Sequence, residues 1–291
     1  MEGTRKLDLA LEAREWAAGA GEIPGVALRE ERLLGLRLTR VRVESEAGAR
    51  ALGKPRGTYL TLELEGLPRD RGEILRAAEA VARLLGELVP GEGPVLAAGL
   101  GNRRMTPDAI GPRTAEGLLV TRHLGEVLPR AGLRPVAALP AGVMGTTGME
   151  SGELVAAAAE KLRPVCVVAV DALAARRRER VCRTIQLSDT GIVPGSGVGN
   201  ARLALDRAAL GVPVIAVGVP TVVEAATLCL DLLEEAGDFD PAALRPAGAE
   251  WFVTPRNIDQ EVDVLSRVLA LGISAGLQPA LSVEEVESWL A

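Results

Sequence analysis

Histidine is almost absent from this sequence: His123 is the only one in 291 residues. A zinc site built from several histidines is therefore excluded, and a Ser-His-Asp triad would have to use His123 as its base. Cysteine is nearly as scarce. Cys166, Cys182 and Cys229 are scattered with no C-x-x-C pair, which argues against a disulfide framework and fits a reducing compartment. Aromatic residues make up 2% of the chain against 48% for hydrophobic residues as a whole, so Leu, Val and Ala must fill the core. No apolar run approaches the roughly 20 residues of a membrane helix. The first residues, Met1 to Arg5, lead into no hydrophobic stretch of the kind that marks a secretory signal. A net charge of −6 argues against a general nucleic-acid binder. The absences together predict a soluble, cytoplasmic protein with no direct nucleic-acid or membrane partner.

What the chain does contain is an alternation of strand and helix patterns. Leu36–Val43 and Tyr59–Leu64 alternate apolar and polar residues, as half-exposed strands do. Gly72–Leu88 carries apolar residues at helical spacing (Ile74, Leu75, Ala78, Val81, Leu84, Leu85). From Val95 the order becomes βαβα, with strands at Val95–Leu100, Pro135–Leu139, Val165–Val170 and Val212–Val219. Helices are expected near Pro112–His123, Glu150–Leu162, Thr221–Leu233 and Ile258–Leu271. This order predicts an α/β fold, a mostly parallel sheet with helices on both faces. Residues 237–246 read as a surface excursion.

Two carboxylates stand out in that frame. The apolar run Val165–Val170 ends on Asp171, and Pro94–Leu100 leads through a Gly- and Pro-rich loop to Asp108, 63 residues earlier. In open α/β sheets ligands and chemistry collect at the carboxyl ends of the strands, so the two could share one site. Either Asp could instead cap the helix that follows it. The stretch Gly195-Ser196-Gly197-Val-Gly199 lacks the full G-x-G-x-x-G spacing and follows no apolar strand directly. Ser196 does not sit in a G-x-S-x-G elbow. Gly195, Ser196 and Gly197 read better as a loop whose backbone approaches a substrate closely.

Long motifs then resemble a known family. Gly99-Leu-Gly-Asn102 with Thr106-Pro-Asp-Ala109, Val120-Thr-Arg-His-Leu124, Gly142-Val-Met-Gly145 and Asp171-Ala-Leu-Ala-Ala-Arg176 are similar to the germination proteases of spore-forming bacteria. So are Asp189-Thr-Gly-Ile192 with Pro194-Gly-Ser-Gly-Val-Gly-Asn200, the run Gly211–Val223 and, near the start, Asp8-Leu-Ala10 and Gly53-Lys-Pro55. The resemblance implies a homotetrameric endopeptidase that degrades small acid-soluble spore proteins in the germinating spore core. It would cut after Glu or Asp, before an apolar residue and then Ala. It implies a fold similar to hydrogenase-maturation peptidases (phosphorylase/hydrolase-like), and a catalytic pair falling on Asp108 and Asp171. It also implies a zymogen that removes its own N-terminal segment; here Asp8-Leu9-Ala10 matches the cleavage pattern, so residues 1–8 would be a short propeptide and 9–291 a single peptidase domain. The chain departs from the family pattern at Val193, where histidine is expected, at Thr146, where glutamine is common, and at Pro140-Ala141, which inverts the usual order.

Three mechanisms follow from these residues. In the first, one aspartate is ionised and activates water while the other is protonated and donates to the amide. Asp108, near a helix N-terminus, would be the base and Asp171, at the end of an apolar strand, the acid, or the reverse. In the second, Asp108, Asp171 and His123 hold a divalent metal; otherwise no cofactor is expected. In the third, the protein binds acidic peptides without cutting them. An acidic substrate residue calls for a fixed cation, for which Arg122 and Arg176 are the candidates. The segment Leu7-Asp-Leu-Ala-Leu11 would be a mobile cleavage site at Asp8 and Leu9 or, alternatively, an ordered strand.

Overall fold

The protein is described by a computed structural model over residues 7–18, 21–125, 132–195, 202–236 and 251–291. Its helices are α1 (Ala10–Ala18), α2 (Glu46–Leu52), α3 (Arg71–Leu88), α4 (Ile110–Glu116), α5 (Ser151–Leu162), α6 (Ala225–Ala236), α7 (Ile258–Leu277) and α8 (Val283–Leu290), with shorter turns between them. Its strands are β1 (Val26–Leu33), β2 (Leu36–Val43), β3 (Gly57–Glu63), β4 (Val95–Leu100), β5 (Val136–Gly142), β6 (Cys166–Ala175), β7 (Thr184–Ser188), β8 (Val214–Glu224) and β9 (Phe252–Val253). Among the described residues they make one sheet in the order β1-β2-β3-β7-β8-β6-β4-β5, with β9 beside β8. Residues 237–246, read from sequence as a surface excursion, lie outside the described residues.

The α/β class and the helices on both faces are as expected, but the sheet is mixed. β5, β4, β6 and β8 run parallel, while β1, β2, β3, β7 and β9 pair antiparallel. The reason lies in burial. All six residues of β4 and the first six of β6 are buried, as parallel strands covered on both faces must be. β1 is largely exposed, which a hairpin at the sheet edge tolerates.

One face is covered by α3 and α7, whose apolar sides meet Leu60, Leu62, Val168, Ile215 and Val217. These two helices pack closely: a Cβ at Gly272 would stand 2.7 Å from the Ala78 carbonyl oxygen. On the other face, Val155 and Ala159 of α5 meet Leu96, Ala98, Val167 and Ala169. α1 covers the same face further along, against Val41, Val43 and Tyr59. Between α1 and α5 that face is left open at the carboxyl ends of the parallel strands.

Candidate active site

Asp171 does not end its strand, because β6 continues to Ala175 with a register shift beyond Leu173. Its neighbour β4, however, pairs with β6 only as far as Gly99 opposite Val170. Asp171 is therefore the first residue of β6 with no partner on that side. Its Oδ1 accepts the N–H of Ala172 at 2.9 Å, and the residue is 5% exposed. No helix follows that it could cap.

Asp108 closes the loop after β4. Gly101, with φ +106°, turns the chain out of the strand, and Asp108 Oδ2 accepts the Asn102 N–H at 2.7 Å. The carboxylate thus ties its own loop together. The residue that caps α4 is Ala109, which makes no side-chain hydrogen bond. Gly111, in the first turn of α4, lies against the strand ends so closely that a Cβ would run into the carbonyl oxygens of Leu100 and Val170. That close approach, which only glycine permits, brings the Asp108 loop onto Asp171.

Both aspartates line one cavity of about 730 Å³ at the carboxyl ends of β4 and β6. Burial pushes the Asp171 carboxyl well above the usual carboxylate range, and the charges of Asp108 and then Asp8 add to it, against the opposing Ala172 N–H. Burial raises Asp108 as well, opposed by the Asn102 N–H. The arrangement suits one ionised and one protonated carboxyl group, with Asp171 the better holder of the proton.

Asp8 reaches the same cavity from the N-terminal segment. Residues paired directly across a sheet project to the same face, so the row Asp171–Gly218–Gln186 across β6, β8 and β7 sets Gln186 on the Asp171 face. The Gln186 amide grips the backbone on both sides of Leu9, accepting the Ala10 N–H at 2.7 Å and donating to the Asp8 carbonyl oxygen at 3.3 Å. Lys54 Nζ donates to that same oxygen at 2.9 Å, and Asp8 Oδ2 accepts the Ala174 N–H at 2.9 Å. Leu9 and Ala10 are fully buried. Leu7, Leu9 and Leu11 do not form the strand that alternation suggested: the chain enters α1 at Ala10. The helix is fixed by buried Glu12, which accepts the N–H groups of Arg176 and Arg177 at 2.8 and 3.0 Å and pairs with Arg180 at 3.2 Å.

The remaining candidates fall elsewhere or only partly within reach. Arg122 and His123 lie not on a helix but on an exposed 3₁₀ turn. That turn follows Thr121, whose N–H bonds Val136 at the amino end of β5. The six residues of β4 separate that end from the Asp108 loop, about 20 Å at roughly 3.3 Å per residue. His123 therefore cannot join Asp108 and Asp171 around a metal, and among the described residues no three His, Cys, Asp or Glu side chains converge as ligands. Arg176 is committed to Asp231 at 3.1 Å and stacks over Trp16 at 5.0 Å, outside the cavity. Gly195 lines the cavity beside Val193 and Pro194; Ser196 and Gly197 lie outside the described residues. Sequence reasoning missed Arg202, Glu150 and Gln186. Arg202 follows the glycine motif by two residues, and that proximity was the only signal it gave. Among the described residues no helix is long and apolar enough to cross a membrane.

Comparison with known proteins adds to this geometry. A family model described as germination protease matches residues 5–239. The chain is 40% identical to a germination protease of Clostridium tetani (strain Massachusetts / E88), over 98% of this chain and 99% of that one. It is 41% identical to a germination protease of Caldanaerobacter subterraneus subsp. tengcongensis, over 98% of each. A solved structure, the [NiFe] hydrogenase maturation protease HycI from Thermococcus kodakarensis KOD1, is similar with a TM-score of 0.39 and 18% identity, covering 67% of this chain and 98% of that one.

Proposed function

The chain belongs to the germination protease family, and on that premise we propose that it cuts small acid-soluble spore proteins by a two-aspartate mechanism. The observation that carries the mechanism is the meeting of Asp108 and Asp171 in one cavity, with the more deeply buried Asp171 held towards its protonated form. Asp108, the more exposed of the two and held by the Asn102 N–H, takes the proton of the attacking water. Asp171 donates its proton, first to the carbonyl oxygen and then, after exchange within the pair, to the leaving amine. As the C–N bond breaks, a hydroxyl of the tetrahedral intermediate returns its proton to the pair, the oxygen of water stays in the new carboxyl group, and the amine leaves with the proton it received, so the pair regains its single proton and no external cofactor is consumed.

The substrate preference is an acidic residue, then an apolar one, then Ala, and the chain's own Asp8-Leu9-Ala10 has that pattern. Its seat beside the cavity supports self-processing between Asp8 and Leu9. Cutting there requires Asp8 to Ala10 to be lifted from Gln186 and Lys54, while Glu12 keeps α1 in place. Residues 9–291 would then remain as the mature domain. The homotetramer belongs to the same reading.

The test is cleavage of a peptide containing Glu-Leu-Ala by the full chain and by Asp108→Asn. The wild-type chain should cut after Glu, and the variant should lose about 10²–10⁴ in turnover, the usual contribution of one general base. Cleavage that survives Asp108→Asn unchanged would remove Asp108 from the mechanism.

A further inference from the structure

Building on the acidic-residue preference above, we propose that Arg202 is the substrate-binding residue that receives the substrate's carboxylate. Among the described residues the charged side chains lining the cavity are Asp8, Asp108, Glu150, Asp171 and Arg202. The cavity thus carries four carboxyl groups and, among the described residues, one cation. A further carboxylate meets an opposite charge only beside Arg202, and in a partly enclosed cavity that difference is less screened than on an open surface.

Arg202 is built into the site. Its backbone N–H donates to the Pro194 carbonyl at 3.0 Å. The chain after it returns alongside Ile192, which exchanges two backbone hydrogen bonds of 2.9 and 2.8 Å with Leu205. Arg202 thus stands opposite Pro194, at the base of the loop that carries Gly195. Its side chain is 31% exposed and meets Glu150 through Nη1 at 3.0 Å. That leaves the other side of the planar fork for a second carboxylate, which arginine can bind through two parallel N–H bonds. Glu150 is the positioning residue: it precedes α5 and receives the guanidinium from one side, so the fork presents its remaining edge to the cavity. Neither arginine suggested by the sequence can play this part, since Arg122 lies at the opposite end of the strands and Arg176 is engaged with Asp231.

Paired peptides containing Glu-Leu-Ala or Gln-Leu-Ala test the assignment. Binding is measured by calorimetry on the full chain carrying Asp171→Asn, which slows turnover, and cleavage on the wild-type chain. The parent should bind the Glu peptide about 10- to 100-fold more tightly than the Gln peptide, the size of a hydrogen-bonded charge pair. Adding Arg202→Gln should bring that ratio close to one, and Arg202→Lys, which keeps the charge but not the fork, should leave it in between. A ratio unchanged by Arg202→Gln overturns the assignment, as does a parent with no preference for Glu. Should the wild-type chain cleave neither peptide while the binding preference disappears with Arg202→Gln, the cleavage reading fails and the Arg202 subsite stands.

Discussion

Replacing Asp171 by Asn separates catalysis from stability. The amide nearly matches the protonated carboxyl in shape, and its oxygen can still accept the Ala172 N–H that Asp171 Oδ1 accepts at 2.9 Å. What it cannot do is release a proton. Loss of one general acid costs about 10²–10⁴ in rate, or roughly 3–5 kcal/mol of barrier. Stability should move the other way. In the folded protein burial, the Asp108 charge and the Asp8 charge raise the Asp171 carboxyl well above its ordinary value. A group raised on folding contributes its full stability below its unfolded value, near pH 4, and loses that contribution as pH rises through the folded value. The variant carries no such penalty. Its melting temperature should therefore match the wild type near pH 4 and exceed it increasingly as pH rises to the folded value, above which the difference levels off, while peptide cleavage stays low throughout. Thermal melts at several pH values and a peptide assay read both effects. Near-normal cleavage would remove Asp171 from the chemistry. A melting difference that does not grow with pH would refute the argument that this carboxyl is buried against its charged form.

Two further outcomes follow from the placement of His123 and of the N-terminal segment. His123→Ala should leave peptide cleavage within about twofold of wild type, since a surface substitution of this kind normally has little effect, and exhaustive chelation should not abolish it; loss of activity under both treatments would restore a metal reading. Mass spectrometry of the full chain held at mildly acidic pH should reveal a new N-terminus at Leu9 that Asp171→Asn prevents, and a full-length protein that is stable and fully active would contradict self-processing there.

The parallel half of the sheet was legible because burial on both faces leaves continuous apolar runs, such as Val95–Leu100. In the antiparallel half β2 and β3 were legible from their alternation, but β1 and β7 were not. β1 carries Arg29, Glu30, Glu31 and Arg32 on a largely exposed strand, so it offers no apolar alternation to read. β7 spans five residues and is buried because of its place between β3 and β8, which no local pattern records. The two aspartates were legible for a positional reason, each following a buried apolar run. The cations were not, because proximity along the chain misled: Arg122 is 14 residues from Asp108 yet sits at the far end of the strands. Arg202 is remote from both aspartates in sequence and comes to them only through the return of the chain after Pro194.

Gln186 links the N-terminal segment to the face of the sheet that carries Asp171. It lies in one row with Asp171 across Gly218, and its amide holds the backbone on both sides of Leu9. The segment expected to be cut and the acid expected to cut it are therefore positioned by the same row of the sheet. Asp8 also adds its charge to those that hold Asp171 protonated. Cleavage after Asp8 would take that charge away together with residues 1–8, leaving burial and Asp108 as the causes of the raised carboxyl. It would also leave Lys54 without the carbonyl it now binds, because the Asp8 oxygen departs with the released segment. Processing would thus remove one carboxylate from the cavity, and that change favours the entry of an acidic substrate.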